Sequence, residues 1–265
     1  HTLLPGVIER DEDQKFPKDE IKKMGELGFM GMMIPEKWGG SGFDTVSYVI
    51  AIEEIAAVEL ATSTVRSVNN ALVSQVLLYW GNDAQKNDFL VPLSSGEKLG
   101  AYSLSEPQSG ADASNMRTFA EKDGNNYVVN GTKNWVTSGQ SSDLIIFFCL
   151  TDKGAGSKGI SAFIVEKGTP GLEVGKKENK LGLRASDTCE LYFDNVKIPI
   201  SNLIGKEGEG FKLALATLDG GRIGIASQAL GIAQASLDSS IIYSKERIQF
   251  GKPISENQSI QYKIS

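Results

Sequence analysis

Apolar residues along the chain change their spacing near Gly100 and again near Gly210, dividing it into a helical part, a β part and a second helical part. In the first part, Phe16-Pro17-Lys18-Asp19-Glu20 places a proline and acids in the first turn of a helix that ends at Gly28. Asp44 is an N-cap for a helix from Thr45 to Ala57, in which Val46, Val49, Ile50 and Ile55 form an apolar stripe. Asn69 to Trp80 and Asn82 to Leu90 predict two further helices. The Gly-rich, Met-rich link from Met30 to Gly42 predicts core packing for its methionines and Trp38.

From Gly100 the pattern predicts strands at Ala101–Ser105, Leu144–Leu150, Ile160–Glu166, Leu172–Val174 and Thr188–Lys197. Tyr127 to Thr137 reads as a hairpin turning at Asn130-Gly131. Many short strands with Gly-rich turns indicate a closed or sandwiched β domain. Gly154-Ala155-Gly156-Ser157-Lys158-Gly159 matches GxGxxG, but a strand pattern follows it where a dinucleotide fold needs a helix, so it predicts a hairpin loop. Phe211 to Tyr243 predicts a helix of roughly 50 Å. Gly220, Gly221, Gly224 and Gly231 punctuate it, which points to close approach by a backbone or a ligand. Gly251 and Pro253 end that segment, and Ser255-Glu256-Asn257-Gln258 has capping-box spacing at the start of another helix.

Composition narrows the chemistry. The 265 residues are 40% hydrophobic and 23% charged, with a net charge of −6, which fits a soluble globular protein and gives no basic footprint for nucleic acid. The longest apolar run, Leu144–Leu150, is too short to cross a bilayer. The sequence has no positively charged start leading into an apolar core, and Glu9–Asp13 is acid-rich, so neither a secretory signal nor a transit peptide is expected. Cys149 and Cys189 are forty positions apart and predict buried thiols, and the single histidine is His1, so a His-based triad or metal cluster is excluded within these residues.

Three places carry candidate chemistry. Glu106-Pro107-Gln108-Ser109-Gly110 breaks the first strand with turn residues; it is either an ordinary polar turn or one whose N–H groups converge on an anion such as pyrophosphate. Asp219 and Arg222 share a helix face, as an ion pair or as ligand contacts. Arg247 is a fork suited to phosphate, or a solvated helix-end charge.

Leu104-Ser105-Glu106-Pro107-Gln108-Ser109-Gly110-Ala111-Asp112 resembles the signature of the acyl-CoA dehydrogenase family, with Ser103 where Gly, Ala or Cys is usual and Ala111 where Ser or Thr is usual. The stretch from Gly28 to Ala56 resembles the family's N-terminal helical domain. KENKLGLRASDTCELYFDNVKIPISNLIGKEGEGF, from Lys177, resembles its β-domain exit. TLDGGRIGIASQALGIAQASLD, from Thr217, is most similar to short-chain and short-branched-chain members. SKERIQFGKPI with Gln258 resembles the RxxFG loop and the glutamine after it. The implied fold class is α+β, with an N-terminal helical domain (1–99), a middle β-barrel or sandwich domain (100–205) and the start of a C-terminal four-helix bundle (206–265).

The resemblance implies FAD-dependent α,β-dehydrogenation of a short-chain acyl-CoA to the trans-2-enoyl-CoA, with electrons passed to an electron-transfer flavoprotein. The reaction needs a polarised thioester, a carboxylate for the α-proton and a flavin for the β-hydride. By resemblance, Tyr102, Leu104, Ser105, Gly110 and Ala111 bind FAD, Trp135 stacks beside the isoalloxazine, and Val136 and Thr137 flank it. Arg247, Phe250 and Gln258 meet the FAD of a neighbouring subunit. Ala111, Asp219, Gly220, Gly221 and Arg222 meet the acyl-CoA. The family's base is a glutamate, on the long helix at the position of Gly221 in some members and later in the chain in most. With glycine there, no catalytic residue is expected in this chain and the base is expected beyond Ser265. The family likeness also implies a homotetramer built as a dimer of dimers, no metal, no nucleic-acid or membrane partner, and a bacterial cytoplasmic rather than mitochondrial or secreted setting. Two other readings stay open: a non-catalytic flavin or acyl-CoA binding module, and an oxygen-reacting oxidase or monooxygenase relative. The SEPQSGAD loop together with TLDGGR favours the dehydrogenase over the latter.

Overall fold

A computed structural model describes residues 3–265. The first helices are α1 (Val7–Glu12), α2 (Lys18–Glu26) and α3 (Thr45–Val58). Asp44 caps α3 by accepting from the Ser47 N–H at 2.8 Å. The expected stripe on α3 is not its buried face: Val46 and Ile50 are exposed, while Tyr48, Ile52 and Ala56 are buried. Apolar residues surround this helix on most sides, so the buried stripe is chosen by the helices packed on it rather than by periodicity. The helix expected from Asn69 begins earlier. α4 (Leu60–Ser67) runs through a π-helical stretch, Val68–Ser74, into α5 (Gln75–Trp80). α6 (Asp83–Gln85), opened by a reciprocal Asn82–Gln85 capping box, continues through Lys86–Leu90 into α7 (Val91–Ser95).

The β part forms one eight-stranded sheet: β1 (Gly100–Ser103), β2 (Phe119–Asp123), β3 (Asn126–Thr137), β4 (Leu144–Leu150), β5 (Ile160–Glu166), β6 (Leu172–Val174), β7 (Thr188–Pro199) and β8 (Leu203–Ile204). Its order is β6-β7-β3-β2-β4-β5-β8, with β1 parallel to β4. Successive residues of β4 enter two different cores. Ile145, Phe147 and Cys149 face the sheet interior with Tyr127, Phe163 and Leu191, whereas Leu144, Ile146 and Phe148 pack with Val76, Leu77, Leu93 and Leu213 of the helices. Burial on both faces explains why β4 is apolar at every position.

The hairpin turn is not at Asn130-Gly131. It lies at Gly124-Asn125, between the paired Asp123 and Asn126, with Gly124 at φ +59°. Gly131 instead lies within β3, at φ +151°, opposite a bulge of β7 at Asp194-Asn195, and a Cβ on it would come within 2.6 Å of the Thr118 Cα. The GxGxxG segment is the loop joining antiparallel β4 and β5, as expected.

α8 (Gly210–Glu246) is a single 37-residue helix. It crosses α3 so closely that a Cβ on Gly231 would lie 2.3 Å from the Glu53 carbonyl oxygen. β9 (Ile248–Gln249) and β10 (Lys252–Pro253) form a small hairpin, and α9 (Gln258–Ile264) follows. The expected Ser255–Gln258 capping box does not form: Ser255 and Glu256 lie in a 3₁₀ turn, and Asn257 is the residue before α9. No helix among the described residues is long and apolar enough to cross a membrane.

Candidate functional site

Two features frame the site: a clamped loop after β1, and a cavity between the helices. β1 delivers the chain into Leu104–Gly110. Leu104 is half-buried against the helical core, and its carbonyl accepts from Lys133 Nζ at 3.0 Å. The Ser105 carbonyl accepts from the Asn134 N–H at 2.9 Å. Glu106 and Ser109 exchange both backbone hydrogen bonds, closing a tight turn. The Glu106 carboxylate is buried and meets Lys133 Nζ at 2.8 Å, the Arg117 N–H at 2.6 Å and the Thr118 N–H at 3.1 Å. Burial alone would push the Glu106 carboxyl up, but the Lys133 ammonium and these hydrogen bonds outweigh it and hold it below the usual carboxylate range.

Past this clamp the surface opens. Gly110 and Ala111 are exposed. Gly110 does not adopt a positive φ, and a Cβ there would meet nothing within 4 Å, so no demand within the chain explains a glycine. A bulge in β3 itself, between Lys133 and Val136, turns Trp135 outward at φ +59° and leaves it 63% exposed. Val136 points into the sheet interior, and Thr137 pairs with Thr188 of β7. The Tyr102 ring packs on Phe148 with centroids 5.2 Å apart. The Tyr102 hydroxyl, Ser103 Oγ and Asn134 Oδ1 are buried without partners. An open glycine edge, a presented indole face and unsatisfied polar atoms around one loop fit a large planar, phosphate-bearing cofactor.

The cavity, of about 410 Å³, is lined by Met33, by Tyr48 of α3, by Ala71, Gln75 and Trp80 of the α4–α5 helix, and by Thr217, Gly220 and Ile223 of α8, among others. No carboxylate among the described residues lines it. The π-helical stretch serves both features. Its Ala71 lines the cavity, and its Asn69 Oδ1 accepts from the Gly100 N–H at 3.0 Å, tying the start of β1 to the cavity wall. Behind the cavity the Tyr48 hydroxyl donates to Ser67 Oγ at 3.0 Å, and Gln228 Nε2 donates to Ser63 Oγ at 3.2 Å. Gly224 gives these groups room: a Cβ there would come within 2.8 Å of Ser67 Oγ. Arg66 is fully buried between the Tyr48 and Phe29 rings, and burial pushes its guanidinium down to about 10.

The other candidates fall into separate places. Gly220 lines the cavity, and Gly221 lies against Leu72, whose Cδ2 would be 2.9 Å from an added Cβ. Asp219 and Arg222 form an exposed ion pair beside it. Arg247, Phe250 and Gln258 are exposed at the far end of α8, roughly 37 Å along the helix from Arg222 at 1.5 Å per residue. Phe250 and Gly251 form the two-residue β9–β10 turn, with φ of +53° and +77°. Gln258 Nε2 bonds the Tyr262 hydroxyl. Among the described residues, no hydrogen bond or ion pair joins these three side chains to the loop after β1. Reading the sequence missed Glu106 as a clamp and missed Lys133 altogether. The signal was there: Tyr127, Val129 and Lys133 share the inward parity of β3, which points a lysine into an apolar interior.

Three family models match in chain order: the N-terminal domain of acyl-CoA dehydrogenase over residues 1–97, its middle domain over 101–196 and its C-terminal domain over 208–265. The chain belongs to the acyl-CoA dehydrogenase family. An acyl-CoA dehydrogenase of Bacillus subtilis is 49% identical over 99% of this chain and 69% of its own length. The butyryl-CoA dehydrogenase of Megasphaera elsdenii superposes with a TM-score of 0.96 at 47% identity, covering 99% of this chain and 70% of that one. A structure described as the electron transferring flavoprotein of Acidaminococcus fermentans contains a chain matching at TM-score 0.97 and 46% identity, over 98% of this chain and 69% of that one. A glutaryl-CoA dehydrogenase of Mycobacterium smegmatis, in complex with FADH2, matches at TM-score 0.92 and 35% identity, over 98% and 66%. The chain thus spans about two thirds of the length of such relatives.

Proposed function

We propose that this acyl-CoA dehydrogenase oxidises a short-chain acyl-CoA to its trans-2-enoyl-CoA with FAD and passes the electrons to an electron-transfer flavoprotein. The observation that carries the short-chain reading is the limited volume of the cavity, about 410 Å³, with the bulky Tyr48 and Trp80 side chains in its wall. The Tyr48 hydroxyl is hydrogen-bonded to Ser67 Oγ at 3.0 Å, which holds this ring in the wall, so a longer chain would have to displace it and break that bond. The 47% identity to a butyryl-CoA dehydrogenase supports the same length class.

Bound FAD supplies a hydride acceptor for the substrate's β-carbon, which no side chain can provide. Tyr102, Leu104, Ser105, Gly110 and Ala111 form the loop that holds it, and Trp135, Val136 and Thr137 form the strand edge beside it. Arg247, Phe250 and Gln258 serve the cofactor of a neighbouring protomer in a tetramer, which fits their exposure beyond the end of α8. Ala111, Asp219, Gly220, Gly221 and Arg222 meet the acyl-CoA, with Gly220 at the cavity wall. The apolar lining excludes water from the reacting carbons. The α-proton goes to a carboxylate, and the family's glutamate is proposed to lie outside residues 1–265. The bacterial relatives support a bacterial cytoplasmic setting.

The test is a chain-length series with a dye acceptor. Butyryl-CoA is expected to give the highest kcat/KM and octanoyl-CoA a much lower one. A clear preference for octanoyl-CoA would overturn the assignment. Oxygen consumption matching substrate turnover would instead favour an oxidase.

A further inference from the structure

We propose that the buried Glu106–Lys133 pair is a positioning device that sets the cofactor loop and Trp135 in one rigid arrangement before FAD arrives. The proposal rests on the FAD reading above. Lys133 and Glu106 side chains are 0% and 2% exposed. Burying two charges is costly, and an apolar pair of the same volume is often as stable, so stability alone does not explain them. What an apolar pair cannot do is hold backbone. Lys133 Nζ grips the Leu104 carbonyl at 3.0 Å, and the neighbouring Asn134 N–H grips Ser105 at 2.9 Å. Glu106 grips the N–H groups of Arg117 and Thr118, and takes Gln108 Nε2 at 2.7 Å. One carboxylate thus closes the whole excursion from Leu104 to Thr118, while residues 104, 105 and 106 are each held by residue 133 or 134. The next residue on β3 is the exposed Trp135. The open loop edge at Gly110–Ala111 and the indole face are therefore spaced by the pair, and an ordered loop saves the ordering cost that binding would otherwise carry.

The test uses Glu106→Gln, Lys133→Met and the double variant. Each single leaves an uncompensated buried charge or unsatisfied N–H groups, whereas the double leaves no unpaired charge. The apoprotein Tm is expected to fall in each single and to recover in large part in the double. The FAD dissociation constant, read by flavin fluorescence quenching, is expected to rise by about tenfold or more in all three, because an amide at 106 cannot accept from Lys133, Arg117 and Thr118 together, and methionine at 133 releases the Leu104 carbonyl. Recovery of the double to within about twofold of wild-type affinity would make the pair merely structural and overturn the proposal. So would wild-type affinity in either single. In the wild-type apoprotein, the Arg117 and Thr118 amides are expected to be protected from hydrogen exchange before FAD is added. Rapid exchange there would show that the loop is not preset, whatever the variants do. If the wild-type protein takes up no FAD at all, the functional reading fails, and the exchange result still judges the clamp.

Discussion

Two glycines of α8 predict opposite responses to the same methyl group. At Gly231 an added Cβ would lie 2.3 Å from the Glu53 carbonyl oxygen, 3.0 Å from the Glu53 carbonyl carbon and 3.2 Å from the Ala57 nitrogen. All three are backbone atoms of α3, so no rotamer change relieves the clash, and α3 and α8 must part. Such overpacking costs about 1–3 kcal/mol, against an alanine-over-glycine helix gain of about 0.8–1.0 kcal/mol. These terms net to about 0–2 kcal/mol, and the 2.3 Å approach to rigid backbone puts the cost at the upper end. Gly231→Ala is therefore expected to destabilise by about 1–2 kcal/mol, at about 2–4 °C of Tm per kcal/mol. At Gly220 an added Cβ meets nothing within 4 Å. The helix gain stands alone, so Gly220→Ala is expected to raise Tm by about 2–4 °C. Gly220 also lines the cavity. If acyl-CoA approaches its backbone, the methyl that stabilises the fold obstructs the substrate, and kcat/KM for butyryl-CoA falls by about fivefold or more. Differential scanning fluorimetry and steady-state kinetics on the two variants decide it. A stabilised Gly231→Ala would refute the packing argument. A stabilised Gly220→Ala with unchanged kcat/KM would remove Gly220 from the substrate site.

Three further outcomes are expected. Because the native Glu106 carboxyl is held below its ordinary value of 4.5, its contribution to stability is fully present above that pH and lost as pH falls through the native value; the Tm gap between wild type and Glu106→Gln should shrink on acidification, and a widening gap would contradict the clamp. Asp187 is buried, and desolvation pushes its carboxyl up against the hydrogen bonds from the Gln140 and Ser141 N–H groups, so its ionised form lowers stability as pH rises from 3.8 through the native value. Its Oδ2 accepts both bonds and its Oδ1 has no partner, so Asp187→Asn should match or exceed wild-type Tm at neutral pH, and a loss above about 1 kcal/mol would refute this account. Residues 1–265 on their own should not catalyse exchange of the butyryl-CoA α-proton in heavy water; exchange would place the base within these residues.

Much of the fold was legible because local signals and burial agreed. Asp44 capped its helix, the run Leu144–Leu150 was a strand, and the GxGxxG segment was a hairpin loop. The failures share a cause. Asn130-Gly131 carries a strong turn signal, yet β7 pairs across it through a bulge and Thr118 fills the space a side chain would need. Val46 and Ile50 look like a core stripe, but the neighbours of α3 select Tyr48, Ile52 and Ala56. Ser255–Gln258 has the spacing of a capping box, but a 3₁₀ turn occupies it. In the first two cases a partner distant in sequence decided between locally plausible conformations, and in the third a local 3₁₀ turn did. The site divided the same way. The loop after β1 stood out by its motif, whereas its clamp needed Lys133 to be placed on the inward face of β3, and the cavity exists only once α3, α4–α5 and α8 meet.

The proposed function requires this chain to place a flavin against a short acyl-CoA. The most direct measurement is the visible spectrum, under anaerobic conditions and before and after adding butyryl-CoA, of the purified protein comprising residues 1–265 together with the segment proposed to carry the base. An absorbance of bound oxidised flavin that bleaches on the addition, with crotonyl-CoA formed in equal amount, is the predicted result. A protein that holds FAD yet stays fully oxidised with butyryl-CoA and every other short acyl-CoA would contradict it.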